Sequence, residues 1–275
     1  MCGIFGLIIK PNTTFSLSSL DGSLRKIASF SESRGKDSSG IAFRNTNNEI
    51  VDVLKGDIPI NQLLISKEFS NTLSHNLNSY KEGNGFNVFG HARLVTNGSQ
   101  LLEVNNQPVI KENIFTIHNG IITNVDNIWE QHPELDREYL IDTEIIPALL
   151  RNHLLKGLEL PQALKMTFPL LEGTYSLAMS FCDLDQFVLA TNNGSLYFIS
   201  DDKNFIVYAS EGFFLEKLKK ERSFKSIGQN HPVKQLLPNE AIIINLNTLN
   251  LNQFDYLKSS IRLSNHFHTP YKVSK

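Results

Sequence analysis

Runs of apolar residues separated by polar joints divide the chain into strand-like and helical stretches. Residues 3–9, GIFGLII, form an apolar run of strand length. Leu20, Leu24, Ile27 and Phe30 then recur at helical spacing, which predicts a helix capped by Ser19 that stops near ESRGKDSSG. Runs rich in β-branched and aromatic residues follow: GIAF, EIVDVL, FNVFGHARL and NIFTIHNG. Helical patterns return in DTEIIPALLRNHLLK and PQALKMTFPLL, where Pro147 and Pro161 are first-turn residues or kinks. Strand-like runs resume with TYSLAMSF, QFVLAT, SLYFIS and NFIVYAS, and a last one, EAIIINL, precedes the tail. Strands, then helices, then strands again predict layered sheets flanked by helices and not a repeated βαβ alternation.

Composition narrows the class. The 275 residues are 41 % apolar and 20 % charged, enough for a sizeable core in one large domain; the motif resemblance described below gives its bounds as residues 2–246. Residues 247–275 are expected to form a tail, disordered or docked on a partner, since Lys258, Arg262, Lys272 and Lys275 meet no acidic residue from position 258 onward. The formal net charge is −2, without a basic run that could neutralise phosphates, so nucleic acid is not an expected partner. No run of apolar residues is long enough to span a membrane, and no signal peptide is apparent. Cys2 and Cys182 are too few for a disulfide framework, which fits a reducing, cytoplasmic setting.

Cys2 stands directly behind the initiator methionine. If the methionine is trimmed, the thiol shares a residue with a free α-amino group. The reference pKa of a thiol is about 8.5 and that of an α-amine about 7.7–8.0, so the amine can take a proton that the thiol gives up. One residue then supplies nucleophile and general base. A cysteine here also serves as a small apolar residue at the head of a core strand, and position alone does not separate the two readings.

The rest of the chain bears on that choice. MCGIFG, SRGKDSSG, GHARLVTNGS, EVNNQP, HNGIITN, DTEII, EGTYSLAM and YASE occur in this order between Cys2 and Leu246. Together they resemble the glutaminase domain of class II glutamine amidotransferases, the amino-terminal-nucleophile group that includes the amino-terminal half of glucosamine-6-phosphate synthase. The resemblance implies an α+β fold, a four-layer α/β/β/α sandwich. It implies that Cys2 attacks the side-chain amide of L-glutamine through a thioester. It makes the side-chain amide of Asn119 and the backbone N–H of Gly120 the oxyanion hole, and it gives Arg93 the substrate α-carboxylate, assisted by Thr96 and Asn97. Asp142 receives the α-ammonium, while Arg34, Gly35, Asp37 and Asn105 support the wall around the nucleophile, with Pro108 beside them. His118 and His91 are expected to be structural because the α-amine is the base. No metal or other cofactor is implied, and His266 and His268 alone do not make a metal site.

Taken singly, these residues have plainer readings. NG is a common hairpin turn, Arg93 a surface ion pair, Asp142 a helix N-cap, and RGKD a turn after a helix. Departures from the resemblance also occur. Leu94 stands where the synthase carries a tryptophan that helps close the ammonia route, Asn97 where it carries a histidine, and Lys36 where it carries an aromatic residue. The chain ends where that family usually continues, so the expectation is a stand-alone glutaminase that hands ammonia to a separate synthase protein, with its oligomeric state open. Hydrolysis of a γ-glutamyl amide, or a non-catalytic glutamine-binding scaffold role, are the alternatives.

Overall fold

In β1 (Gly3–Ile9) every residue is buried, because alternate side chains enter two different apolar layers. The computed structural model describes residues 2–45, 51–94 and 106–258. Among them the chain continues through α1 (Leu17–Ser31), β2 (Ser38–Arg44), β3 (Val51–Gly56), α2 (Ile60–Leu64), α3 (Lys67–Lys81), β4 (Phe86–Arg93), β5 (Val109–Lys111) and β6 (Ile114–Ile122). Next come α4 (Val125–Gln131), α5 (Ile145–Leu155), α6 (Leu160–Thr167), β7 (Gly173–Phe181), β8 (Gln186–Thr191), β9 (Tyr197–Ser200) and β10 (Phe205–Ala209). Last are α7 (Gly212–Lys220), β11 (Lys234–Gln235), β12 (Glu240–Asn245) and β13 (Leu251–Asp255).

The strands form two sheets, ordered β11-β9-β10-β1-β4-β2-β3 and β13-β12-β8-β7-β6-β5. Three apolar layers follow from the alternation of side chains. Phe5, Leu7, Phe43, Val88 and Val207 face α1, α2, α3 and α7 on the outside of the first sheet. Ile4, Ile8, Phe89, Ile117, Phe187 and Ile242 fill the space between the sheets. Leu177, Met179, Val188 and Ile243 meet α4, α5 and α6 outside the second sheet. Helices, sheet, sheet, helices is the four-layer α+β sandwich that the resemblance implies, and it fits the layered sheets read from the chain's pattern. None of the described helices is long and apolar enough to cross a membrane.

Several local expectations change. Helix α1 begins three residues earlier than predicted, because Ser16 and not Ser19 caps it: the Ser16 side chain accepts the Ser19 N–H. Helix α3 was missed among polar residues. Its buried positions Phe69, Leu73, Asn76 and Tyr80 keep helical spacing, but an asparagine interrupts the stripe. The folded part also runs past Leu246. Strand β13 pairs with β12 along Ala241↔Phe254 and Ile244↔Leu251, and Tyr256 is buried behind α6, its hydroxyl donating to the Thr191 carbonyl at 3.1 Å.

Candidate active site

Antiparallel order decides which strand ends meet. In the first sheet β1 lies between β4 and β10, and Gly3 stands opposite Ala92, so continuing that register puts Cys2 opposite Arg93. Ser38, the first residue of β2, also pairs with Arg93. On the other side, Phe5 pairs with Ala209, and the Ser210 N–H donates to the Ile4 carbonyl at 2.9 Å. The starts of β1 and β2 and the ends of β4 and β10 therefore share one edge. The second sheet delivers the end of β6, with Asn119 and Gly120, to the same place.

At this end the sheets are linked by a hydrogen bond from the Cys2 backbone nitrogen to Asn119 Oδ1, 2.8 Å, across 117 positions of sequence. Because that nitrogen donates, the amide oxygen of Asn119 must face it. The NH2 end of the same amide is thereby turned to the other side, where it can donate to a ligand. Gly120 has φ 155°, and a Cβ there would stand 1.9 Å from the Thr174 carbonyl oxygen. Only glycine keeps β6 against β7 at this point.

Cys2 is 8 % exposed, and its Sγ donates to the Leu94 carbonyl at 3.4 Å. Burial pushes its thiol pKa up, against the Leu94 backbone contact and the positive charges of Arg93 and Arg34. The resting sulfur is thus a thiol that needs a base. Arg34 donates from Nε to the Cys2 carbonyl at 3.3 Å and pairs through Nη1 with Glu211. Glu211 belongs to the YASE motif but was given no role from sequence; the signal was there, without a partner to interpret it.

Gly35 is needed for close approach, since a Cβ would come within 2.2 Å of the Arg93 carbonyl carbon and 2.3 Å of the Leu94 nitrogen. Gly35→Ala is expected to cost about 1–3 kcal/mol of stability, because two backbones must separate. Chemical denaturation of the variant checks this, and an unchanged midpoint contradicts it. Asp37 is held by its N–H to the Arg93 carbonyl at 3.0 Å.

Arg93 is buried at the end of β4, and its Nη1 donates to Asn106 Oδ1 at 3.0 Å. Burial lowers its pKa, while Cys2, Asp142 and Asp37 act in the opposite sense. Asp142 opens the 3₁₀ turn before α5 and is not its cap. Its Oδ2 instead accepts the Ile122 N–H at 2.9 Å, just past Gly120. It also lines a cleft with Ile122, Thr123, Val125, Arg137 and Leu140. The structure thus brings Cys2, Asn119, Gly120, Arg34, Gly35, Asp37, Arg93 and Asp142 to one end of the two sheets. Thr96, Asn97 and Asn105 lie outside the described residues. Another open groove, lined by Arg151, Leu158 and Asp183 among others, contains none of this constellation.

The two histidines make no hydrogen bond to Cys2 among the described residues. His118 Nε2 lies 3.4 Å from the Thr174 carbonyl and must donate to it, so Nδ1, 3.2 Å from Thr143 Oγ1, accepts. Burial lowers the pKa of His118 and takes His91 to about 3, which leaves His91 neutral at physiological pH.

Comparison with known proteins places this geometry in context. Residues 91–217 match a family model described as a glutamine amidotransferase domain. The chain is 27 % identical over 218 residues to a glutamine–fructose-6-phosphate aminotransferase of Sulfurisphaera tokodaii, a match covering 77 % of this chain and 32 % of that protein. It is 29 % identical over 223 residues to the Bradyrhizobium diazoefficiens protein of the same name, covering 79 % and 33 %. The chain therefore spans about a third of the length of these curated relatives. Among solved structures, glutamine phosphoribosylpyrophosphate amidotransferase from B. subtilis superposes with TM-score 0.64 at 20 % identity, over 94 % of this chain and 50 % of that one. An allosteric regulatory enzyme of purine biosynthesis superposes with TM-score 0.66 at 19 % identity, with the same coverage. At such identities the superpositions speak for the fold.

Proposed function

We propose that this chain, which matches a glutamine amidotransferase domain over residues 91–217, is of the class II type and hydrolyses L-glutamine to glutamate and ammonia with Cys2 as nucleophile. The observation that carries this reading is the hydrogen bond between the Cys2 nitrogen and Asn119 Oδ1. It sets a sulfur nucleophile, a nitrogen that becomes an α-amine once Met1 is removed, and a side-chain amide donor within one small volume.

The steps follow from that arrangement. The amine takes the proton from Sγ, and the sulfur attacks the amide carbon of glutamine. Negative charge develops on the amide oxygen, where the Asn119 NH2 and the Gly120 N–H stabilise it. The new ammonium returns its proton to the leaving nitrogen, ammonia departs, and water cleaves the γ-glutamyl thioester. Arg93 grips the α-carboxylate with its planar fork, and Asp142 receives the α-ammonium through the carboxylate oxygen not engaged by Ile122. Thr96 and Asn97 assist Arg93, and Asn105 completes the wall. Arg34, held by Glu211 and by the Cys2 carbonyl, fixes the nucleophile's strand end and adds positive charge beside it.

Ammonia at neutral pH is chiefly ammonium and is lost to water, so its use calls for an acceptor. We assign that role to a synthase partner acting in the cytoplasm as a separate protein. The test is glutamate and ammonia release from L-glutamine by protein whose first residue is Cys2, with γ-glutamyl amines as parallel substrates. A base must be unprotonated to act, so kcat/KM is expected to rise with pH through the ordinary α-amine range of about 7–8 and to be lost below it. No turnover at any pH overturns the reading.

A further inference from the structure

Resting on the role of Asp142 given above, we infer that Lys111 and Glu144 are positioning residues whose buried ion pair sets Asp142 and, with it, selectivity for a substrate bearing an α-ammonium group. Glu144 follows Asp142 by two residues and is fully buried. A carboxylate in such a place must be paired and hydrogen-bonded or it costs several kcal/mol. Its Oε1 accepts from Lys111 Nζ at 3.0 Å and from the Glu138 N–H at 2.8 Å, and its Oε2 accepts from the Tyr139 N–H at 2.7 Å.

Lys111 closes the other side. Its Nζ also donates to the Asp136 carbonyl at 2.7 Å and to the Glu138 carboxylate. Burial works against its charge, yet the bonds to Glu138 and Glu144 leave its pKa raised. The Tyr139 hydroxyl donates to the Ile110 carbonyl at 3.1 Å. Residues 136–139 are thus fastened to the end of β5 immediately before the chain reaches Asp142.

Strand β5 leads back to the other half of the substrate clamp. Three residues before its start lies Asn106, which accepts from Arg93. Lys55, from β3 of the first sheet, donates to the Asn106 and Pro108 carbonyls at 3.1 and 3.5 Å. One strap, residues 106–111, therefore joins the guanidinium that would hold the α-carboxylate to the acid that would hold the α-ammonium. Shifting its Lys111 end changes the distance between the two.

The experiment compares L-glutamine with glutaric acid monoamide, which lacks only the α-ammonium group, in wild type, Lys111→Met, Lys111→Arg, Glu144→Gln and the double variant Lys111→Met/Glu144→Gln. The double variant leaves no buried charge of the pair unpaired, and thermal unfolding identifies which variants are folded. We expect KM for glutamine to rise about tenfold in Lys111→Met and Glu144→Gln with kcat little changed, while kcat/KM for the monoamide stays at the wild-type value. Lys111→Arg should recover part of the preference. Folded variants that keep the wild-type preference, or that lose both substrates equally, overturn the inference. Wild-type protein that turns over neither substrate overturns the reading of the site itself, and wild-type protein without preference removes the role of Asp142; both are seen before any variant is measured.

Discussion

Replacing Cys2 with alanine is expected to lower glutamine hydrolysis on the order of 10⁴-fold or more, with the fold intact. Alanine keeps a small residue ahead of β1, so the proposed removal of Met1 is not hindered and the hydrogen bond from the residue's nitrogen to Asn119 remains available. What disappears is the sulfur on which the proposed thioester depends. Cys2→Ser sharpens the comparison. A hydroxyl preserves the shape but holds its proton far more tightly than a thiol, and burial already raises the thiol's pKa. The α-amine must then remove a more tightly held proton, so the serine variant should fall well below wild type while staying above the alanine one. A third sample keeps the thiol but carries a retained methionine or an acetylated terminus. Its nitrogen is an amide without basicity, and it should be as inactive as the alanine variant. Intact-mass measurement alongside the ammonia assay decides this; full activity in blocked material removes the amine from the mechanism.

The next largest effect is expected at Asn119. Loss of a single preorganised donor to a developing oxyanion typically lowers kcat about 10²–10³-fold, or about 2.7–4 kcal/mol. Asn119→Ala should show this with little change in KM, because the donor is used chiefly after attack has begun. Asn119→Asp is more informative. It keeps an oxygen to accept from the Cys2 nitrogen and removes the NH2 donor, so kcat should drop by a similar factor. A carboxylate next to the amine also favours the ammonium form, raising the amine's pKa and moving the acid limb of the rate profile to higher pH. Steady-state rates across pH check both parts. Wild-type kcat in the aspartate variant contradicts the donor role, and an unmoved acid limb contradicts the contact between this side chain and the base.

Local chemistry was legible where it depends on residue type and order. The cysteine behind the methionine, HNG, DTE and RGKD could each be given a role, and the structure gathers their described members at one end of the two sheets. Glu211 was visible inside YASE but had no meaning until β10 and β1 were seen side by side, which sets it against Arg34. Lys111 and Glu144 were given no role from sequence. Only burial, which no local pattern reports for a lone lysine, turns them into a pair that must be satisfied.

The sequence by itself determined the alternation of side chains along the strands, the amphipathic stripe of α1 and the presence of a thiol that can become terminal. These depend on periods of two or about 3.6 residues and on neighbours within one turn. Tertiary structure decided the rest: that Cys2 meets Asn119 across 117 positions, that β13 extends the second sheet beyond Leu246, and that Lys111 at the end of β5 meets Glu144. Such contacts are set by the packing of two sheets against a shared apolar layer, and a one-residue change of register would part them all without altering any local pattern.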